Sequence, residues 1–420
     1  MAFGISVVCG VLSLVLRCAL CFLSLRFWQF SAFVDLSSCD VGVVSACVHA
    51  LTRRKPGRAG ARRLENSTRT TVAALRLDVN QAVQESRARP GPGRLRAGGA
   101  GEQCPSRIAA IVRTGLAIQS GFVTKDQPVI YMEASGEKMV EMLKSWLCNT
   151  AGMHGVHSSA LLVVDVQSHA SLTKWAKSAG MWGLKIVQSS TPIEHQRDWA
   201  YGSLGYWVAT VHRVRSVFCL LRSGVSVFIV EPDAVWVRNA LSDRVFGDRS
   251  YEVVGFSDGV AETFGFGFLR LQATSKVVSI MREVLASSEQ EVKRHAGRAL
   301  TSDVVVTGEQ QFFSEQVKRR DLNVSAFRLD SCKYPSGRWY DDGAKEDPAY
   351  YRKKCRQRGL PLYVLQNNWI VGNERKILRM QRWGHWFLNE GRDRCKRDQL
   401  GKVLATIAQG RPAEADATNA

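Results

Sequence analysis

The sequence lacks the short motifs that mark the commonest phosphate-binding sites, since it contains no GxGxxG and no GxxxxGK followed by Ser or Thr. A Rossmann dinucleotide site and a P-loop are therefore not supported. It also has no paired CxxC motifs and no RNP-type stacking module, so we do not expect nucleic acid as a partner despite the net charge of +19. No internal repeat is visible either.

Acidic side chains are fewer than basic ones, 38 against 57, and the basic excess is unevenly distributed. Residues 1–51 are neutral overall, residues 52–106 carry 12 basic and 4 acidic side chains, and the remaining 314 residues carry 43 against 32. Because the segment 52–106 is rich in Arg, Gly and Pro, it cannot bury a core. We therefore predict a basic stem at 52–106, and a main domain whose smaller surplus leaves anionic partners such as nucleotides open.

The N-terminal segment, 1–51, contains a long apolar run. Residues 3–25 are 23 residues with one charge, Arg17, and about 20 apolar residues span a bilayer. We predict a signal-anchor helix that attaches the chain to a membrane, with a cleaved signal peptide as the alternative. Charge does not establish a lumenal main domain, because the basic cluster follows the apolar run instead of preceding it.

Two features bear on the cellular compartment. The sequons at Asn66 and Asn323 favour the secretory lumen. Six of the 11 cysteines lie beyond the N-terminal segment and have no metal-type spacing: Cys104, Cys148, Cys219, Cys332, Cys355 and Cys395. Six cysteines allow 15 disulfide connectivities. Disulfides and buried free thiols both remain open.

The segment 107–395 has the pattern of one folded domain, and the segment 396–420 is predicted to be a disordered tail. Apolar runs of strand length alternate with helical patterns of about 10 to 20 residues; the runs are 128–135, 160–167, 184–190 and 225–237. This alternation predicts an α/β domain with a mostly parallel sheet. Ligands of such sheets bind beyond the carboxyl ends of the strands, so polar residues that follow an apolar run are the first candidates for a site.

The strongest candidate follows the fourth apolar run. Glu231 and Asp233 flank Pro232, which ends the strand and leaves both acids at the rim of the sheet. On an extended segment, two residues apart, their carboxylates point the same way and suit a hard divalent cation that bridges phosphate oxygens. Taken alone, an acid pair after a strand is also compatible with solvated turn residues.

The order of motifs around this pair resembles a known family. The segment VSVFIVEPDAVWVRNAL follows Tyr201-Gly202-Ser203 and a helix that carries Arg213. Further matching segments are YEVVGFSD (251–258), FGFGFLRLQATSKVV (264–278), GEQQFFSEQV (308–317), YPSGRWY (334–340) and LQNNWIVGNERKILRMQRWGHW (365–386). Together they resemble the nucleotide-diphospho-sugar transferases of glycosyltransferase family 77, which contains plant cell-wall xylosyl- and arabinosyltransferases and related galactosyltransferases.

The resemblance implies a GT-A-like fold, with helices on both faces of the sheet, and a metal-dependent, retaining sugar transfer from a nucleotide-sugar donor to a glycan or glycoprotein acceptor. It also implies a Golgi membrane protein with a lumenal catalytic domain; secretion after signal cleavage is the alternative. The metal, Mn²⁺ or Mg²⁺, would be held by Glu231, Asp233 and Gln366. The groups implied at the donor are Gly265, Gly267, Gly372, Lys376, Asn368 and Trp236, and those implied in catalysis are Gln310 and Asp258. Trp369 is a further ring that could stack on a sugar or base, and ordinary packing roles remain the alternative for these residues.

The chain departs from the family pattern at three positions: Glu231 and Glu309 replace aspartates, and Gln366 replaces a histidine. A neutral amide is a poorer ligand for transition metals than imidazole. His385 is a possible substitute, although a core histidine is the simpler interpretation. The departures keep open an alternative function, a non-catalytic protein that binds nucleotide sugars or glycans, and a basic adaptor acting through the stem is a third.

Overall fold

The computed structural model describes residues 104, 128–189, 191, 195–257, 263–340, 347–396, 398–410 and 412. The chain divides into two units, residues Met1–Arg96 and Ala97–Ala420, and all described residues lie in the second. The predicted signal-anchor segment therefore lies outside the described residues, as does the stem apart from Cys104. Within the described ranges, no helix has both the length and the apolar character that crossing a bilayer requires.

Strands and helices alternate through the first half of the described chain, as the hydrophobic pattern predicts. The strands are β1 (Val129–Ala134), β2 (Ala160–Val164), β3 (Lys185–Gln188), β4 (Val227–Val230), β5 (Val235–Trp236), β6 (Val253–Ser257), β7 (Phe264–Leu271), β8 (Ala326–Arg328) and β9 (Val364–Leu365). The α-helices are α1 (Glu137–Thr150), α2 (Val166–Ser178), α3 (Leu204–Arg222), α4 (Arg244–Gly247), α5 (Ser275–Lys293), α6 (Glu309–Val317), α7 (Pro348–Gln357), α8 (Asn373–Arg382) and α9 (Gln399–Gln409).

Seven strands form the main sheet in the order β3-β2-β1-β4-β7-β6-β8. Only β7 runs against its neighbours, so the prediction of a mostly parallel sheet is confirmed. The chain moves outward from β1 to β3 and then returns to place β4 on the other side of β1. Such a reversal opens a crevice at the carboxyl ends of the two central strands, where α/β proteins bind ligands.

The two faces of the sheet carry separate cores. One contains Ile130 and Met132 of β1 with apolar residues of α1, α2 and α8, and the other contains Tyr131 of β1 with apolar residues of α3, α5 and α6. Alternate residues of one strand thus point into opposite cores, as the period of two in a strand requires. Helices therefore cover both faces, and the residues that leave β4 stand between the two layers.

The six cysteines, whose state the sequence left open, form three disulfides: Cys104–Cys219, Cys148–Cys395 and Cys332–Cys355. The predicted start of the disordered tail at residue 396 is wrong, because α9 occupies part of that segment. Val403 of this helix is fully buried and belongs to the core on the α1 side. The apolar face of α9 packs against this core, and burial of that face stabilises the helix.

Candidate active site

The acid pair lies on a turn between β4 and the short strand β5. Glu231 donates its backbone N–H to the Gly267 carbonyl at 2.8 Å, and the chain then turns at Pro232 and Asp233. We expected an extended segment with both carboxylates pointing the same way; that expectation is wrong, since Pro232, the second residue after β4, lies in a turn. The turn gives Glu231 and Asp233 different neighbours.

Glu231 belongs to a charged network on the α3 side of the sheet. Arg213 of α3 donates to Glu231 Oε1 at 3.3 Å and to Glu309 Oε1, at the start of α6, at 2.7 Å. Burial alone lowers the pKa of Arg213, but the Glu309 and Glu231 carboxylates outweigh it and raise that pKa. The guanidinium is therefore a permanent cation held between two acids.

The two glycines of β7 are required by their neighbours. A side chain on Gly267 would overlap the Glu231 carboxylate, and one on Gly265 would overlap the ring of Phe256. Between them, the Phe266 N–H donates to Gln310 Oε1 at 3.2 Å. The structure thus brings Gly265, Gly267 and Gln310 to one edge beside Glu231. Asp258, expected close to them, lies outside the described residues.

Asp233 meets a different cation. Lys376 Nζ of α8 lies 2.7 Å from Asp233 Oδ2, and the aspartate is only 2% exposed. Apart from this ammonium, no described residue donates a hydrogen bond to either carboxylate oxygen. Burial lowers the pKa of Lys376, but the charges of Asp233 and Glu231 raise it to above its ordinary value, so the amine keeps its proton. Lys376 is thus at Asp233, and its role at the donor diphosphate, which the resemblance implied, stays a prediction.

A second, two-stranded ladder brings the closing segment to this turn. In it, β5 pairs with β9 in antiparallel register, Val235 with Leu365. Gln366, the residue after β9, therefore comes alongside the turn that carries Asp233. Its side chain is 1% exposed, and its Nε2 has no hydrogen-bond partner among the described residues. Nε2 is a hydrogen-bond donor, and a buried donor without a partner is costly, so this position suits a further acceptor.

The next residues fix the loop that leads into α8. Asn367 accepts from Arg379 Nε at 2.6 Å and donates to the Lys376 carbonyl at 3.1 Å. Asn368 Oδ1 accepts from the Gly337 N–H at 2.5 Å, so its expected contact with the donor is instead a contact with protein backbone. Gly372 begins the helix at φ +95°, and a Cβ built there meets nothing within 4 Å. Open space at a helix start allows an anionic group to approach the backbone.

The tryptophans separate into core and surface. Trp236, expected at the donor, is fully buried and packs edge to face against Trp146, with its centroid 5.8 Å away. Its ring is therefore not accessible to a ligand, because the two-residue strand β5 directs it into the core. Trp369 is 37% exposed, has a left-handed backbone at φ +62°, and has the Arg338 guanidinium 4.3 Å from its ring centre. A bulky residue in that conformation is strained, which is common at ligand sites.

His385 and His157 both have structural contacts. His385 is fully buried, its Nδ1 lies 2.9 Å from Tyr340 Oη, and burial lowers its pKa to about 3. It therefore does not replace the missing histidine at Gln366. His157 Nε2 lies 3.0 Å from Thr150 Oγ1. In the part of the chain that the structure describes, no three His, Cys, Asp or Glu side chains converge as a metal centre.

Sequence reasoning gave no role to two groups at this edge. Asp198 accepts from the Lys138 N–H at 3.0 Å and from Asn373 Nδ2 at 2.9 Å, which ties the first turns of α1 and α8 together. Arg213 stood out in the sequence as a basic residue within an apolar helix. Such a residue is buried only with acidic partners, so this pattern is the signal that could have indicated a network. Its partner Glu309 is 96 residues away, and no local signal reveals it.

A cavity of about 350 Å³ opens beyond β1 and β2, beside the acid pair's edge of the sheet. Its lining includes the starts of α1 and α2, with Asp165, Gln196 and Arg197. The Gly136 and Ser168 N–H groups already donate to Asp165, at 2.9 and 2.7 Å. Asp165 therefore already takes one N–H donor at each of these two helix starts.

The family model described as nucleotide-diphospho-sugar transferase matches residues 170–380, half of the chain. The chain belongs to this family. It is a glycosyltransferase of the nucleotide-diphospho-sugar type, as the motif order implied. The matched region runs from within α2 into α8 and contains the acid pair, Gln310 and Lys376.

Named relatives agree at low identity. The chain is 21% identical over 303 residues to UDP-D-xylose:L-fucose alpha-1,3-D-xylosyltransferase 1 of Arabidopsis thaliana, which covers 69% of this chain and 77% of the relative. It is 21% identical over 268 residues to Beta-arabinofuranosyltransferase RAY1 of the same plant, and that match covers 61% of this chain and 47% of the relative. Among solved structures, it is similar to the apo-form glycosyltransferase GlyE of Streptococcus pneumoniae TIGR4, at 11% identity and a TM-score of 0.38. That match covers 68% of this chain and 64% of the GlyE chain, just under two thirds.

Proposed function

We propose that the chain is a GT-A-type, metal-dependent, retaining glycosyltransferase that moves a sugar from a nucleotide-diphosphate donor to a glycan or glycoprotein acceptor. The observation that carries the proposal is the buried Asp233 carboxylate, paired with Lys376 at the carboxyl edge of the sheet inside the family match. A carboxylate so deeply buried needs a cation. Here that cation is a lysine on a loop-anchored helix, where it can exchange partners with an anionic ligand.

The residues at this edge fit a hard divalent cation. Asp233 has carboxylate oxygens free of N–H and O–H donors other than Lys376, and Gln366 lies alongside the same turn, where its amide oxygen would be the metal-binding atom and its unpartnered Nε2 would suit an anionic oxygen. Glu231 keeps only the longer of the two Arg213 contacts. We propose these three residues as the ligands of Mn²⁺ or Mg²⁺, for which oxygen ligands are suitable. The cation would offset the charge that develops on the leaving diphosphate.

The donor diphosphate is proposed to lie at the start of α8. Lys376 would supply a point charge there and Gly372 a backbone without a side chain in the way. With an anionic donor at α8, Lys376 would exchange Asp233 for a phosphate oxygen, and the Asp233 carboxylate would be one of the groups that hold the metal. No buried charge is then left unpaired at any stage, which is the condition for keeping such a group in the fold.

In the reaction, the bond between the sugar C1 and the diphosphate oxygen breaks, and the electron pair leaves with the diphosphate. A bond forms between C1 and the acceptor hydroxyl oxygen, whose proton passes to the leaving diphosphate. An inverting displacement requires a base to take that proton. Gln310 is a neutral amide and Glu309 is paired with Arg213, so both favour retention. Asp258 is still predicted to line the same pocket.

The three disulfides support a position in an oxidising compartment, because cytosolic proteins rarely keep them. We propose the Golgi lumen, with the segment 1–51 as the membrane attachment. Asn323, one of the two predicted glycosylation sites, is exposed at the end of a turn, which agrees with this location.

A donor-hydrolysis assay on the full chain tests the proposal. With a panel of UDP-xylose, UDP-arabinose, UDP-galactose and UDP-glucose, we expect release of UDP that requires Mn²⁺ or Mg²⁺. Asp233→Asn should lower it at least about 100-fold. Asp321→Asn is the matched control, since Asp321 is an exposed aspartate in a surface ion pair. Full activity of Asp233→Asn would place the site elsewhere, and tight, metal-independent binding without UDP release would favour the non-catalytic alternative.

A further inference from the structure

An aromatic cluster stands at the start of α3. Tyr201 is 57% exposed, and its ring centre lies 5.1 Å from that of Tyr206 and 5.9 Å from that of Trp207. The rings of Tyr206 and Trp207 meet edge to face at 5.0 Å. Gly202, at φ +90°, forms the turn between Tyr201 and the helix. The cluster therefore presents one well-supported ring to the surrounding solution.

The loop 300–308 extends this surface. An antiparallel bridge pairs Ser203 with Asp303, and the Val304 N–H donates to the Gly202 carbonyl at 3.0 Å. The same register places Val305 opposite Tyr201. Val305 is 96% exposed, which is unusual for a valine that the backbone holds in place. Together, Tyr201 and Val305 form an exposed apolar platform, a combination that commonly marks a binding surface.

The platform adjoins the reaction centre. Gly308 directly precedes Glu309 and Gln310, and a Cβ at this glycine would lie 3.2 Å from the Trp207 ring. Tyr206, which supports Tyr201, faces the same network: burial raises the pKa of its hydroxyl, and the Glu309 carboxylate raises it further. The aromatic cluster thus lies directly beside the Arg213 network and the start of α6.

We propose that Tyr201 and Val305 bind the acceptor, with the apolar face of one of its sugar rings lying on the Tyr201 ring. This inference rests on the proposed function. A half-exposed aromatic ring binds the C–H face of a saccharide by contact and leaves its hydroxyls to polar neighbours. The polar neighbours here are Gln310 and the Glu309–Arg213 pair.

The placement favours the acceptor over the donor. Asp233, proposed for the metal, and Lys376, proposed for the diphosphate, lie on the β9 and α8 side of the acid pair, whereas the platform lies on the α3 and α6 side. A donor held at α8 therefore has its diphosphate on one side of Glu231 and leaves the other side to the incoming hydroxyl. The platform lies on that second side, away from the diphosphate.

Steady-state transfer kinetics with the full chain test the inference. The acceptor probes are the methyl glycosides of fucose, galactose, arabinose and xylose, each assayed with the UDP-sugar that supports hydrolysis. Tyr201→Ala is expected to raise the KM for the best methyl glycoside about tenfold, with kcat and the donor KM within twofold. Tyr201→Phe keeps the ring and should restore the acceptor KM. Trp182→Ala is the control, because it removes an aromatic ring that is 74% exposed and that precedes β3, away from the carboxyl ends of the strands. This variant should change neither KM.

The outcomes separate this inference from the function on which it rests. If the wild-type chain releases UDP but Tyr201→Ala leaves the acceptor KM unchanged, the platform is not the acceptor site. An equal loss of hydrolysis and transfer in Tyr201→Ala would assign the ring a structural role and would also overturn the inference. If the wild-type chain neither hydrolyses nor transfers any of the sugars, both the function and the platform's role are wrong.

Discussion

Glu231 and Asp233 are two residues apart, yet they belong to different electrostatic environments. Glu231 is 28% exposed at its side chain and shares Arg213 with Glu309 on the α3 side. Asp233 is 2% exposed and pairs with Lys376 on the α8 side. The turn at Pro232 separates the two sides, which we call the arginine side and the lysine side.

The difference lies in the chemistry of the two cations. A guanidinium is planar, always charged and able to bind two carboxylates at once, whereas an ammonium is a compact charge on a flexible stem. The arginine side is therefore a fixed network, and the lysine side is exchangeable. This comparison teaches that two acids recognised as one motif can be held by cations of different kinds, one within a fixed network and one on a flexible stem.

The largest effect is expected from breaking the arginine side. Arg213→Met leaves Glu231 and Glu309 without their cation, and removal of one partner of a buried pair costs about 3 kcal/mol or more. Urea unfolding should show this loss. Adding Glu309→Gln to Arg213→Met should recover part of it, because one of the stranded charges is then gone.

Arg319→Met is the matched control for this experiment. Arg319 forms an exposed ion pair with Asp321, and such pairs contribute less than about 1 kcal/mol. If Arg213→Met unfolds at the same urea concentration as Arg319→Met, the network is not structural and the comparison fails on its arginine side.

The next effect comes from the lysine side. Lys376→Met should lower kcat/KM for the donor about 100-fold, since a positioned charge at the leaving group is lost. It also leaves Asp233 buried without a cation, so the Tm should fall in metal-free buffer and rise with added Mn²⁺ by more than in the wild type. Thermal unfolding with and without Mn²⁺ measures this. A Tm indifferent to Mn²⁺ in both proteins would exclude metal binding at Asp233.

A smaller effect sharpens the comparison at Gln366. Imidazole binds first-row transition metals better than an amide does. Gln366→His is therefore expected to tighten Mn²⁺ binding several-fold, to raise activity at limiting metal, and to favour Mn²⁺ over Mg²⁺. Titration calorimetry and metal-dependence curves measure both. An unchanged metal dependence in a folded Gln366→His variant would show that this side chain is not at the cation.

The smallest effect concerns Glu133, on the strand beside β4. Burial raises the pKa of its carboxyl above the ordinary 4.5, although the Tyr131 hydroxyl, which donates to it at 2.8 Å, and the Arg213 charge both lower it. The folded state thus holds this proton to higher pH than the unfolded chain. The stability from the protonated group is complete below the unfolded pKa and is lost as pH rises through the folded pKa.

Glu133→Gln keeps a hydrogen-bonding oxygen but cannot ionise. We expect a Tm equal to that of the wild type near pH 4 and higher by about 2 °C at pH 8. Calorimetry at several pH values tests this. Glu315→Gln, at an exposed position on α6, is the control and should show no such trend. A constant difference across the pH range would mean that Glu133 titrates normally.

Much of the fold follows from local patterns in the sequence. The alternation of β1 to β4 with α1 to α3 is written in hydrophobic periodicity, and Ser203, which caps α3, and Gly224, which follows it, mark the bounds of that helix. The tail was assigned too early because a short helix such as α9 is marginal by itself and forms only against a partner surface. No pattern within the tail reveals that surface.

The site was predicted less completely. Residue types and motif order placed Asp233 and Lys376 at one edge, but the turn at Pro232 altered what each acid contacts. The direction of the Trp236 ring depends on the ladder between β5 and β9. Each of these strands has only two residues, which is too short for a hydrophobic pattern to predict. The pairing of Arg213 with Glu309 depends on how α3 and α6 cross one sheet face, which is a property of the complete packing.

The ladder between β5 and β9 also sets when the site comes into being. It joins positions about 130 residues apart, and contacts so distant along the chain close late in folding because of their loop entropy. While the chain is still being synthesised, strands β1 to β4 are already available, but Lys376 has not yet emerged. We therefore expect the nascent protein to be inert toward its donor, with competence arriving in a single last step that coincides with completion of the fold.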